Sequence, residues 1–181
     1  MTRFNVKKVA VLGAGVMGAQ IAAHLVNVQV PVVLFDLPAK EGEKNAIVTR
    51  AIANLKKLKP SPLGVAEDAE LIQAANYEEH LKLLKECDLV IEAIAERMDW
   101  KLDLYTKIAP FVAKHAIVAS NTSGLSITKL SEVLPDALKP RFCGIHFFNP
   151  PRYMPLVELI ATPSTQPLVL DQLEAFVTSG L

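Results

Sequence analysis

Short apolar runs alternate with longer stretches of helical periodicity along the chain. Apolar runs with enriched Val, Ile and Leu predict strands, and apolar residues spaced three and four apart predict amphipathic helices. The predicted strands are 8–12, 32–35, 71–75, 89–94, 116–120, 142–147 and 156–160. The predicted helices are 16–28, 40–58, 77–86, 100–114, 127–133 and a last one at about 166–181.

This alternation predicts an α/β fold of the Rossmann type, a doubly wound and mostly parallel sheet with helices on both faces. In such sheets a ligand lies beyond the carboxyl ends of the strands, where the strand order reverses. Polar residues follow the predicted strands at Asp36, Glu96, 120–123 and His146. We therefore expect the site at this edge and one domain of this fold over residues 1–181.

The first strand leads into a Gly-x-Gly-x-x-Gly turn formed by Gly13, Gly15 and Gly18. In this motif the first glycine permits a tight turn, the second lets a pyrophosphate approach the backbone, and the third lets the helix lie close to the strand. The amide groups and the positive dipole at the start of the following helix then face the phosphates. The motif, in this strand–turn–helix context, predicts a dinucleotide site.

Asp36 ends the second predicted strand, at about the distance past the first glycine that a ribose-binding carboxylate requires. A 2′-phosphate on the ribose would meet this negative charge, so the sequence favours NAD over NADP as the cofactor. An ordinary strand–helix corner is the alternative reading of the glycine turn, and it does not account for Asp36.

A histidine and a glutamate occupy the last two predicted strands. His146 precedes two aromatic residues and an Asn-Pro turn, and Glu158 is flanked by aliphatic residues. If the strands are neighbours, Glu158 can fix the tautomer of His146 and favour the imidazolium. The other ring nitrogen can then take a proton from a substrate hydroxyl beside a nicotinamide. A core histidine bonded to a backbone carbonyl, with an exposed edge-strand glutamate, is the alternative.

Composition narrows the function classes. The chain has 181 residues with 19 basic and 19 acidic side chains, which argues against binding of duplex nucleic acid through phosphates. No apolar run reaches membrane-spanning length, and no signal sequence is recognisable at the N-terminus. Cys87 and Cys143 have no metal-ligand spacing with each other or with the histidines, so we expect no metal site, reduced thiols and a cytoplasmic location.

Three runs at compatible spacings resemble the 3-hydroxyacyl-CoA dehydrogenase family. They are Gly13-Ala14-Gly15-Val16-Met17-Gly18, Ser120-Asn121-Thr122-Ser123-Gly124 and His146-Phe147-Phe148-Asn149-Pro150. The Asn-Pro-Pro-Arg-Tyr continuation is similar to the bacterial multifunctional fatty-acid oxidation enzymes. The resemblance implies NAD-dependent oxidation of an L-3-hydroxyacyl-CoA to a 3-ketoacyl-CoA in β-oxidation.

The resemblance also implies roles for individual residues. His146 would be the general base, oriented by Glu158, and Ser123 would hydrogen-bond near the nicotinamide and the substrate oxygen. The residues implied to contact the cofactor are Gly13, Gly15, Met17, Gly18, Asp36, Ile94, Ala95, Glu96, Lys101, Ser123 and Asn149. Trp100, by contrast, is expected to pack rather than to stack on a ligand.

The family's substrate cleft implies a further partner, a helical C-terminal domain that also mediates dimerisation. We expect this domain to follow residue 181, and the isolated chain to bind NAD with little turnover. Lys56, Lys57 and Lys59 are either a site for coenzyme A phosphates or a solvated helix end. Two other functions remain open, a non-catalytic dinucleotide-binding module and another NAD-dependent hydroxyacid dehydrogenase with a lysine base from its partner domain.

Overall fold

Seven strands form one sheet, and five α-helices cover it, in residues 4–181, the part of the chain that the computed structural model describes. The strands are β1 (Val9–Leu12), β2 (Val32–Asp36), β3 (Ile72–Asn76), β4 (Leu89–Glu92), β5 (Ile117–Ser120), β6 (Phe142–Phe147) and β7 (Val157–Ile160). The helices are α1 (Val16–Val26), α2 (Ala46–Leu55), α3 (Met98–Ile108), α4 (Ile127–Glu132) and α5 (Pro167–Ser179). Short 3-10 turns occupy Ala66–Leu71, Leu81–Glu86, Ala109–Phe111 and Lys139–Arg141.

The strand order is β3-β2-β1-β4-β5-β6-β7, and only β7 runs antiparallel to its neighbour. The strand order reverses between the neighbours β1 and β4, because the chain passes from β3 at one edge of the sheet to β4 beside β1. A crevice therefore opens beyond the carboxyl ends of these two strands. This topology confirms the predicted Rossmann-type fold.

The central strands are apolar throughout because helices cover both of their faces. In β1, Val9 and Val11 belong to one core cluster, with side chains of α1, α2 and α5. Ala10 and Leu12 belong to the other cluster, with side chains of α3 and α4. Full burial of a Val or Leu side chain stabilises the fold by about 1.5–3 kcal/mol.

The second helix is shorter than the predicted range 40–58. It begins at Ala46 and ends at Leu55. Gly42 has a φ of 76°, a left-handed conformation that an α-helix cannot include. The helical spacing of the apolar residues therefore predicted the middle of this helix correctly and its start incorrectly.

The helix predicted over 77–86 is absent, and its second half is the 3-10 turn Leu81–Glu86. The side-chain oxygen of Asn76 accepts hydrogen bonds from the amide groups of Glu78 and Glu79, at 3.0 and 2.9 Å. These bonds hold the chain in a turn directly after β3, and asparagine favours such turns over continued helix.

Candidate active site

The three glycines of the turn after β1 differ in what a side chain at each position would meet. Gly13 has a φ of 107°, and a Cβ there would lie 2.7 Å from the carbonyl oxygen of Ala93. A Cβ on Gly18 would lie 1.8 Å from the carbonyl oxygen of Gly13. A Cβ on Gly15 would meet no described atom within 4 Å. Gly13 and Gly18 therefore shape the turn, whereas Gly15 leaves open space in front of it.

That open space adjoins the N-terminus of α1. Gly15 is the N-cap residue, and no side chain caps the helix there. The first turn contains no acidic residue. Uncapped amide groups and the positive end of the helix dipole favour an anion at this position. A diphosphate fits the backbone of this turn.

Asp36 ties the end of β2 to the glycine turn. Its Oδ2 atom accepts a hydrogen bond from the amide of Ala14 at 2.7 Å, and its Oδ1 atom accepts one from the amide of Leu37 at 2.7 Å. The carboxylate is held in a fixed position at the edge of the crevice. It can accept hydrogen bonds from ribose hydroxyls there, and it would repel a phosphate.

Two cavities meet at the glycine turn. One, of about 520 Å³, extends past Asp36 toward α3, and the other, of about 590 Å³, extends toward His146. Gly15 and the segment 93–95 line both cavities. A glycine turn between two adjoining cavities matches the shape of a dinucleotide, with its diphosphate in the middle.

His146 and Glu158 are paired residues in the register of β6 and β7. Glu158 Oε2 lies 2.8 Å from His146 Nδ1. The His146 side chain is 17% exposed, and it lines the second cavity. The carboxylate orients the imidazole and favours a proton on Nδ1, which leaves Nε2 to exchange a proton with a ligand. The neighbouring Phe148 ring, 4.6 Å away between centroids, adds an apolar contact.

Ser123 and Glu96 also line the second cavity, where they contact each other. Glu96 Oε1 accepts a hydrogen bond from the amide of Ser123 at 3.0 Å, and its Oε2 accepts one from the hydroxyl of Thr122. Glu96 thus holds the segment that carries Ser123. Ser126 caps α4, and its side chain accepts a hydrogen bond from the amide of Lys129.

The remaining predicted residues on this side also line the second cavity. They are Met17, Ile94, Ala95 and Asn149. Asn149 Oδ1 accepts a hydrogen bond from Gln20 Nε2 at 3.3 Å, which connects the loop after β6 to α1. Ten of the expected cofactor and catalytic positions therefore surround the two cavities, and Gly18 lies beneath the turn.

Lys101 differs from the other expected cofactor residues in its surroundings. It does not line either cavity, because its side chain is 1% exposed and its Nζ lies 2.5 Å from Glu92 Oε1. Glu92 is itself fully buried, and a buried carboxylate requires a charged partner. The first turn of α3 lies over the end of β4, and Lys101 on that turn is the charged partner. Lys101 thus neutralises Glu92, and its contact with the cofactor stays a prediction.

Sequence reasoning missed the rest of this buried group. Glu92 Oε2 accepts hydrogen bonds from Tyr105 Oη at 2.8 Å and Ser120 Oγ at 2.7 Å, and Oε1 accepts one from the amide of Ile94 at 2.8 Å. Burial, and then the charge of Glu92, raise the pKa of Tyr105 well above its ordinary value. The signal in the sequence was a lone carboxylate inside the apolar run 89–94.

Other residues of the first cavity were also missed. Leu37, Tyr77 and Trp100 line it. Trp100 is expected from the sequence to pack rather than to stack on a ligand, and the structure leaves it 50% exposed at this cavity. The Tyr77 hydroxyl is buried without a hydrogen-bond partner among residues 4–181. Burial, and then the charge of Asp36, raise the pKa of Tyr77 well above its ordinary value.

Several expectations concern residues outside the cavities. Cys87 and Cys143 are buried free thiols, and burial raises the pKa of each to about 12. Lys56, Lys57 and Lys59 are exposed next to the end of α2. Within residues 4–181 no cluster of His, Cys, Asp and Glu side chains could hold a metal ion. None of the helices described there is long and apolar enough to cross a bilayer.

Comparison with known proteins identifies relatives over nearly the whole chain. A sequence model of the family described as "3-hydroxyacyl-CoA dehydrogenase, NAD binding domain" matches residues 8–180. A putative fatty acid oxidation complex trifunctional enzyme of Rickettsia felis is 46% identical over 98% of this chain and 25% of its own length. A probable 3-hydroxyacyl-CoA dehydrogenase of Deinococcus radiodurans is 43% identical over 98% of this chain and 51% of its own length.

Solved structures agree with the sequence relatives. The 3-hydroxybutyryl-CoA dehydrogenase of Escherichia coli superposes with a TM-score of 0.78 at 32% identity, over 97% of this chain and 36% of that chain. The chain thus spans a quarter to a half of the length of the two curated relatives.

Proposed function

We propose that this chain supplies the cofactor site and the general base of an L-3-hydroxyacyl-CoA dehydrogenase. The chain belongs to the 3-hydroxyacyl-CoA dehydrogenase family, as its NAD-binding domain. The observation that carries the proposal is the His146–Glu158 pair, 2.8 Å apart, in a cavity that adjoins the glycine turn. The substrate is a 3-hydroxyacyl-CoA, oxidised to the 3-ketoacyl-CoA in fatty-acid β-oxidation.

The residues around the two cavities have proposed roles in binding the cofactor. The amide groups at the start of α1 hold the diphosphate, Gly15 leaves room for it, and Asp36 accepts hydrogen bonds from the adenosine ribose. Met17, Ile94, Ala95 and Asn149 line the cofactor's path. When bound, NAD supplies the hydride acceptor.

The proton chemistry falls to the protein. His146 Nε2 takes the proton of the substrate hydroxyl, while Glu158 holds Nδ1–H and stabilises the imidazolium that forms. The carbonyl oxygen that develops accepts a hydrogen bond from the hydroxyl of Ser123, whose segment Glu96 holds in place. Phe148 beside the imidazole excludes water from one side.

The substrate and partner assignments rest on the relatives. The relatives are longer than this chain, which supports a further domain after residues 1–181. We propose a helical C-terminal domain that completes the acyl-CoA cleft and mediates dimerisation, in a protein of the bacterial multifunctional type. The free buried thiols support a cytoplasmic location.

The proposal is tested in two steps. Calorimetry with the 181-residue chain should show binding of NAD, and an assay of NADH formation should show little turnover of 3-hydroxybutyryl-CoA. In the full-length protein, His146→Gln should lower kcat by about 10²- to 10⁴-fold with little change in NAD affinity. Full activity of that variant would instead indicate a lysine base from a partner domain, and absence of turnover in the natural full-length protein would indicate a non-catalytic dinucleotide-binding module.

A further inference from the structure

The cavity beyond Asp36 contains an exposed aromatic side chain that the proposed chemistry does not use. Trp100 is 50% exposed and lines this cavity with Leu37, which is 62% exposed. Large apolar side chains exposed together at a concave site are typical of ligand-binding surfaces. The cavity lies on the β2 and β3 side of the glycine turn, away from His146.

The position of Trp100 is fixed by its neighbours. The guanidinium of Arg97 lies 4.4 Å from the centre of the indole ring. Arg97 is itself held by Asp99, through Nε to Oδ1 at 3.1 Å and Nη2 to Oδ2 at 2.7 Å. A cation over one ring face orients the indole and leaves its remaining surface for another flat group.

The residues that line the cavity indicate which part of the cofactor it binds. The carboxylate of Asp36 and the glycine turn place a ribose and a diphosphate at its inner end. The group attached to that ribose then occupies the outer part, among Leu37, Ile94, Trp100 and Leu104. These side chains are apolar, and a purine has a large flat π-face that aromatic side chains bind by stacking.

We propose that Trp100 is a binding residue for the adenine of the cofactor, with Arg97 and Asp99 positioning the indole. The inference deepens the proposed function and rests on it, because the occupant is the adenosine half of NAD. Its physical basis is removal of the exposed faces of Trp100 and Leu37 from water when the purine enters. Stacking acts on the base, so the nicotinamide half of the cofactor does not depend on Trp100.

The experiment uses the chain's own fluorescence. Trp100 is the single tryptophan of the sequence, so tryptophan emission reports on this cavity alone. We expect NAD and ADP to change the emission saturably, with the dissociation constants that calorimetry gives for each ligand. Nicotinamide mononucleotide should leave the emission unchanged.

Substitution separates stacking from a structural effect. Trp100→Ala should raise the dissociation constants of NAD and ADP by about 5- to 30-fold, and Trp100→Phe should raise them less than about 3-fold. Tyr153→Ala is the matched control, since Tyr153 is also an exposed aromatic side chain beside an arginine, and it lines neither cavity. Thermal melts establish that each variant is folded.

The outcomes are distinct. If the natural chain binds NAD and Trp100→Ala binds it with the same affinity, the inference is overturned and the proposed function is left intact. Equal weakening of ADP and nicotinamide mononucleotide would also overturn it, because the effect would not be confined to the purine. Failure of the natural chain to bind NAD would overturn both.

Discussion

Glu158 lies directly opposite His146 across β6 and β7, with its Oε2 atom 2.8 Å from the Nδ1 atom of the imidazole. Directly opposed residues on adjacent strands place their side chains on the same face of the sheet. Strand pairing alone therefore produces this contact, although the residues are twelve positions apart. The carboxylate is 53% exposed, whereas the imidazole that it contacts is 17% exposed.

Loss of the Glu158 charge should slow catalysis without weakening cofactor binding. Glu158→Gln removes the group that stabilises the imidazolium, so we expect kcat of the full-length protein to fall by about 10- to 100-fold. Steady-state kinetics and NAD calorimetry measure the two effects. Glu174→Gln, an exposed carboxylate on α5, is the control and should match the natural protein. An unchanged kcat in Glu158→Gln would contradict the positioning role.

Substitutions of Gly18 and Gly15 should affect stability and NAD binding separately. Gly18→Ala places a Cβ against the Gly13 carbonyl and should lower the free energy of unfolding by about 1–3 kcal/mol or more. Gly15→Val adds atoms only to open space, so stability should change little while NAD affinity falls sharply. Urea unfolding and calorimetry measure these quantities. Normal NAD affinity in a folded Gly15→Val variant would contradict the proposed diphosphate position.

Asp36 should set the preference for NAD over NADP. Asp36→Ala removes a charged hydrogen-bond acceptor, so the dissociation constant of NAD should rise by about 10-fold or more. The ratio of NADP to NAD dissociation constants should fall, because the repulsion of a 2′-phosphate is lost. Competition titrations measure this ratio. Asp171→Ala, on the exposed surface of α5, is the control, and an unchanged ratio in Asp36→Ala would refute the assignment.

Lys101 should contribute to stability through Glu92. Lys101→Met leaves the buried carboxylate unpaired and should lower the free energy of unfolding by about 3–5 kcal/mol. Replacing both residues, as Glu92→Gln with Lys101→Met, should restore part of the loss. Lys8→Met removes the exposed ion pair with Glu86, 2.6 Å long, and should cost less than about 1 kcal/mol. Equal losses from the two lysines would contradict the buried role.

The two thiols should make the fold sensitive to high pH. Burial raises the pKa of Cys87 and of Cys143 from 9.0 to about 12, so the folded state keeps both protons where the unfolded state loses them. Their contribution to the free energy of unfolding is present below pH 9 and is lost as the pH rises toward about 12. Urea unfolding at increasing pH measures the decrease, and the double Cys→Ala variant should show a smaller one. Rapid alkylation of both thiols in the native chain at pH 8 would contradict their burial.

Much of the fold was predictable because its signals are local. The order of strands and helices follows from apolar periodicity, and Gly13 marks a backbone conformation that only a few residues adopt readily. Helix boundaries were less predictable. At 77–86 the side chain of Asn76 bonds to the next amide groups, and this competition does not alter the apolar pattern.

The glycine turn and the carboxylate of Asp36 could be placed from the sequence, since each depends on residues within one supersecondary unit, whereas the pairing of His146 with Glu158 followed only if their strands were neighbours. The burial of Lys101 against Glu92 and the position of Trp100 at a cavity depend on tertiary packing. Both residues lie on the first turn of α3, and their spacing is compatible with either side of that helix. Packing of α3 over β4 and β5 buries one and exposes the other, because burial depends on contacts between segments that are distant in the chain.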